Sequence, residues 1–219
     1  MRRARSDEDK QERRAAILAT AAAMYGRDPS FAAFTMAALA GEAGLAKGTL
    51  YLYFRTKEEL FLTLLETGVE AWFDDVDARL DGGTGAWSPD DAADALVRSI
   101  RGRETLARLL SIMPAIVEHN VEFDAALRFK RRVMHRAAQT GPRLEARLAW
   151  LRPGEGARFL VHLHALVIGV WQLAEPSAVI RRVMDHPELA PARVDFEADL
   201  RFLIATLLRG MGAAGDARS

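Results

Sequence analysis

Residues 35–61 read TMAALAGEAGLAKGTLYLYFRTKEELF, and the fold turns on how this stretch is parsed. Thr35 stands where an N-cap belongs, ahead of the short periodic run Met36 to Ala43, and Gly44 is placed to end that run as a C-terminal glycine does. A second short helix is predicted over about Ala46 to Phe54. Thr56 with Glu59 then forms a capping box that opens a further helix. Two helices of barely two turns are too short to be stable alone, so they make sense only as one supersecondary unit packed against a third. That third helix lies upstream, where Ile17, Ala21, Met24 and Tyr25 share one face before Gly26, and Asp28-Pro29-Ser30 is a turn. The unit is a predicted helix-turn-helix.

On its second helix Leu50 and Phe54 lie four apart and are predicted to face inward, leaving Lys47 and Tyr51 on another face with Thr49 and Tyr53 beside it. One cation and three hydroxyls suit a major groove. Lysine donates to guanine or phosphate, the threonine methyl can touch thymine, tyrosine hydroxyls bond phosphate oxygens, and Gly48 lets the backbone approach closely. The stretch Thr35 to Phe61 resembles the DNA-binding signature of the TetR family of repressors, most specifically in G-T-L-Y-x-Y-F-x-x-K. The resemblance implies a homodimer that presents two such helices to a pseudo-palindromic operator in double-stranded DNA and is released when a small molecule binds the body. Carried over by position, it implies that Lys47, Gly48, Thr49 and Tyr51 meet base edges or adjacent phosphates, while Thr35, Tyr53 and Lys57 hold the DNA backbone. Ala46 departs from the pattern, since many relatives carry a capping serine there, and Ala37 is small where some members read a base.

Charge distribution agrees with a DNA-binding amino end. The whole chain is neutral, yet residues 1–57 carry ten Lys/Arg against six Asp/Glu, a net of +4, and the remainder carries −4. A polyanion prefers the first part. The absence of cysteine excludes disulfides, thiolate zinc sites and cysteine nucleophiles and suits a reducing cytoplasm. No segment reads as a signal peptide, and the most apolar window, Leu160 to Ala174, reads as a buried helix rather than a membrane span. No glycine-rich phosphate loop, nucleophile elbow or His-Glu-x-x-His is present, so neither catalytic residues nor a cofactor is expected.

Strand signals are nearly absent and helical spacing runs almost throughout, which predicts an all-α chain: a helix-turn-helix domain over 1–57 with a basic arm, and a ligand-binding and dimerisation body over 58–219. A long helix from Lys57 to Leu80 is expected to join them. Body helices are expected at Pro89 to Arg101, Glu104 to Glu118, Glu122 to Gln139, Arg143 to Leu151, Glu155 to Ala174, Ser177 to Met184 and Phe196 to Arg209, with Gly141-Pro142 among the breaks. Arg2, Arg3 and Arg5 read as a mobile arm, either tracking phosphates or solvating the terminus.

The helices near 155–174 and 196–211 are apolar on more than one side, which predicts a four-helix dimer interface about a twofold axis. Candidates for an apolar ligand chamber are Met113, Ile116, Phe123, Leu127, Met134, His162, Leu166, Trp171 and Gln172, for an uncharged or weakly acidic hydrophobic ligand; plain core packing explains the apolar members equally well. His162 and His164 point about 200° apart and cannot share a metal ion. Arg128, Lys130, Arg131, Arg132 and Arg136 read as a solvated face, with one arginine turned inward to meet an acidic ligand as the minority reading. The rival function is a helical protein-interaction module, or a regulator without a ligand. Salt-dependent, sequence-preferring DNA binding separates the module from the regulator.

Overall fold

A computed structural model describes the backbone of residues 2–82 and 85–216 and the side chains of residues 8–82, 85–113 and 121–213. Among the described residues the chain is all-α, with no strand. The helices are α1 (Arg2–Arg27), α2 (Met36–Glu42), α3 (Lys47–Tyr51), α4 (Lys57–Asp81), α5 (Pro89–Ile100), α6 (Glu104–Asn120), α7 (Phe123–Arg147), α8 (Glu155–Ala174), α9 (Ala178–Met184) and α10 (Phe196–Asp216), with a 3-10 turn over Pro187–Ala192. Two compact units emerge: residues up to Gly68 together with Ile112–Ala126, and Val69–Ser111 together with Leu127 onward.

The first unit is built around one ring. Phe61 receives Tyr25, Phe31 and Phe34 edge-on, with centroids 5.0, 4.8 and 5.0 Å away, the geometry aromatic quadrupoles favour. Ile17, Leu39, Leu50, Phe54 and Leu65 complete the interior. Arg14 closes one side, its guanidinium 4.6 Å from the Phe54 ring and within 3.3 Å of Thr63 Oγ1. The short helices are held by this core rather than by their own propensity.

In the second unit α10 packs on α5 and α8. Trp72 Nε1 donates to Ser99 Oγ at 2.9 Å, so a buried indole is satisfied. Ser88 and Asp91 cap α5 reciprocally, with Pro89 in the first turn, as the sequence predicts. Buried Arg147 donates to the carbonyls of Leu80 at 2.6 Å and Gly85 at 3.1 Å, tying down the connection between α4 and α5.

Four expectations are corrected. The break at Gly141-Pro142 does not form: α7 runs unbroken to Arg147 with Pro142 inside it. The reason is a close crossing with α8. A Cβ added at Gly141 would lie 2.5 Å from the Ala157 nitrogen, and one at Gly156 2.3 Å from the Gly141 oxygen, so two backbones touch where both helices carry glycine. That tertiary contact, together with Glu145 accepting from the Gly154 and Gly156 amides at 2.9 Å each, outweighs the local proline penalty. The basic arm is not coil, because α1 begins at Arg2; the side chains of Arg2, Arg3 and Arg5 lie outside the described residues. α10 continues past Arg209 to Asp216. Arg136 is not on a solvated face: it is only 17% exposed and lies 3.6 Å from Glu70, 2.8 Å from Asp74 and 3.2 Å from Asp77. Arg136 does turn inward, but to carboxylates of α4 and not to the acidic ligand of the minority reading.

Candidate nucleic-acid interface

Thr35 caps α2 with its side chain, accepting from the Ala38 amide at 3.1 Å, and Gly44 closes the turn at φ +65°, a conformation open to glycine. The Leu45 amide reaches back to Ala40 O at 2.9 Å. Five residues then make α3, anchored by fully buried Leu50. Its N-cap, Ala46, supplies no side-chain hydrogen bond, so α3 owes its position to Leu50 and to Phe54 just beyond it.

Lys47 and Gly48 are exposed, Tyr51 is 40% exposed, and Thr49 and Tyr53 are half-buried. The Lys47 ammonium lies 6.0 Å from the Tyr51 ring centroid, so cation and aromatic form one patch. Nothing lies within 4 Å of where a Gly48 Cβ would stand. The protein's own packing therefore does not require glycine there. Thr35 is exposed, and its hydroxyl proton remains available while the oxygen caps α2. Lys57 is engaged internally: Nζ donates to Phe31 O at 2.8 Å and sits 4.1 Å from the Phe31 ring. The capping box is modified too, for Glu59 accepts from the Arg55 amide at 2.9 Å rather than from that of Thr56. Leu52, which the sequence reading passed over, is 79% exposed. It was legible: residues two apart on a helix point about 200° away from each other, and Leu50 points inward.

The chamber candidates scatter. Met113 and Trp171 are buried, Leu127 and Leu166 half-buried, and Phe123, Met134, His162 and Gln172 exposed; the Ile116 side chain lies outside the described residues. Trp171 packs edge-on against Phe196 at 5.1 Å, with the Arg108 guanidinium 5.6 Å from its ring. A shallow cleft between Val76, Arg79, Leu80, Trp87, Ala95 and Leu96 contains none of the candidates and has no room even for a water molecule. His164 is half-buried, and burial, followed by the nearby Lys130, pushes its pKa below the ordinary value.

The exterior of α8 and α10 is informative. Inner residues Phe159, Leu163, Val167, Leu200, Ile204 and Leu208 are buried within the chain itself, so much of the apolar surface expected at a dimer interface is already covered. What remains outside is a stripe with Val161, Ala165, Gly169 and Leu173 on α8 and Phe202 and Thr206 on α10. By length and composition α8 could cross a membrane, with a mean hydropathy of 1.4; its apolar residues are divided between the interior and this stripe.

A short exposed helix bearing a lysine–tyrosine patch, set by a glycine turn on a three-helix core, defines a helix-turn-helix DNA-binding regulator. Two family models cover the chain: bacterial regulatory proteins of the tetR family at residues 17–64, and the tetracyclin repressor-like C-terminal domain at residues 66–215. The chain belongs to the TetR family, whose members are DNA-binding transcription regulators and not enzymes. It is 38% identical over 63 residues to an uncharacterized HTH-type transcriptional regulator, YfiR, of Bacillus subtilis, a match spanning 29% of this chain and only 30% of that relative. Crystal structures of a TetR transcriptional regulator from Rhodococcus sp. RHA1 (27% identical, TM-score 0.54, 90% of this chain and 95% of that one) and of a Streptomyces coelicolor protein assigned to the same family (21% identical, TM-score 0.58, 92% and 99%) share the fold.

Proposed function

We propose that this regulator is a cytoplasmic homodimeric repressor that grips a pseudo-palindromic operator through Lys47, Gly48, Thr49 and Tyr51, with Thr35 and Tyr53 at the flanking DNA backbone and Lys57 bracing the head from within, and that a small hydrophobic effector in the body releases it. The observation that carries the DNA-binding face is the outward patch of Lys47 and Tyr51 beside an unoccupied space at Gly48, on a helix whose opposite side is anchored by Leu50. Lysine and tyrosine supply phosphate and base donors, and the missing side chain brings the backbone near the groove floor. Dimerisation through α8 and α10 is supported by the apolar residues that each leaves exposed, Val161 and Leu173 on α8 and Phe202 on α10. Thr35 and Tyr53 present hydroxyls, whereas Lys57 chiefly fixes the loop that carries Phe31. Residues 1–57 act as the reading head, and the rest of the chain as dimerisation and effector body.

Selection of bound fragments from genomic DNA, followed by binding titrations at several salt concentrations, tests this reading. The expected result is an inverted-repeat sequence bound with a steep salt slope, roughly −0.9 per phosphate neutralised. Equal affinity for all sequences, or no binding at 50 mM salt, would overturn it. Compounds that raise the melting temperature and lower operator affinity would identify the effector class, and the operator's location would point to the gene it controls.

A further inference from the structure

We infer that Leu52 is a base-reading residue whose side chain recognises the 5-methyl group of a thymine in the operator's major groove. The inference rests on the DNA-binding reading above and assigns a residue to it. Leu52 closes α3 with helical backbone angles, φ −71° and ψ −22°, so helical spacing still applies to it. Leu50 is fully buried, and residues two positions either side of it, Gly48 and Leu52, project from the opposite surface. Those two form the outermost ridge of the helix, flanked by Lys47 and Tyr51 on one side and Thr49 on the other.

The ridge has a hollow at Gly48, where nothing occupies the space a Cβ would fill, and a large apolar knob at Leu52, 79% exposed. A single exposed leucine is ordinary. One at the crest of a recognition helix, among polar groups suited to phosphates and base edges, faces a groove whose one apolar feature is the thymine methyl. Length permits the contact. The five residues of α3 rise only about 7.5 Å at 1.5 Å each, less than the roughly 12 Å width of the groove, so both ends of the helix fit within it. Lys47 and Tyr51, held as one patch by their cation–π contact, set the neighbouring polar contacts while Leu52 supplies the apolar one.

The test uses the full-length protein and the operator it selects, with each thymine replaced singly by deoxyuridine, which pairs identically but lacks the methyl. The wild-type protein is expected to lose about three- to fivefold in affinity at one position of a half-site, the size of one buried methyl. Leu52→Ala is expected to bind thymine and uracil operators equally at that position while keeping the wild-type melting temperature. An unchanged thymine preference in Leu52→Ala, or a uniform loss on every sequence, would overturn the assignment and leave the regulator reading standing. A wild-type protein that selects no operator would overturn both.

Discussion

At Gly48 the fold and the interface make opposite demands. Glycine in a helix costs roughly 0.5–1 kcal/mol relative to alanine, and the open space around its Cα shows no packing reason to bear that cost. Gly48→Ala is therefore expected to leave the melting temperature unchanged or raise it, while operator affinity falls by about tenfold, equivalent to about 1.4 kcal/mol; melting and titration of the same preparation check both. His164 gives a second residue-scale prediction. Burial, with Lys130 adding to it, lowers its pKa below the ordinary 6.5, so between those two values the unfolded chain binds more protons than the folded one and stability rises with pH. The full stability is present above 6.5 and is lost as pH falls toward the lowered value. His164→Gln is expected to flatten that acid-side decline, read as the difference in melting temperature between pH 7.5 and pH 5.5 relative to the wild type.

Elements are joined here by contacts that single-helix patterns do not announce. Pro142 would end α7 on local grounds, yet the meeting of Gly141 with Gly156 and Ala157 holds the helix through it. Gly156→Ala places a methyl 2.3 Å from a carbonyl oxygen that belongs to backbone and cannot swing away. The expected cost is at least about 1–3 kcal/mol, as for other overpacked sites, measurable by urea denaturation. Arg136 makes the same point in charge. On α7 it belongs to a run of five basic residues that reads as one solvated face, but the acids of α4 lie opposite it at helical spacing and draw it inward. Pairing across two helices is invisible to periodicity within one.

For the whole molecule the question is assembly. Part of the apolar content of α8 and α10 is consumed inside the chain, where α10 lies on α5 and α8, so that buried part does not argue for a partner. The outward stripe does, and Phe202, 63% exposed, is its largest member. Phe202→Glu is expected to give a monomer in analytical ultracentrifugation with an unchanged helical circular dichroism spectrum. Operator affinity should fall by at least about a hundredfold, because linking two half-site contacts multiplies affinity by 10²–10⁴. A Phe202→Glu dimer of undiminished affinity would place the interface elsewhere.

Residues 35–61 by themselves determined the helix-turn-helix: Thr35, Gly44, Leu50 and Phe54 act through caps, a left-handed turn and four-residue spacing, all of which are local rules. They determined the family for the same reason, and helical spacing along the rest of the chain determined the all-α class. Only the tertiary structure decided that Pro142 lies within a helix, that Arg136 faces α4 and that Lys57 spends its ammonium on Phe31. Each of those depends on which surfaces meet, a matter of packing between elements distant in the chain, and no window of neighbouring residues contains it.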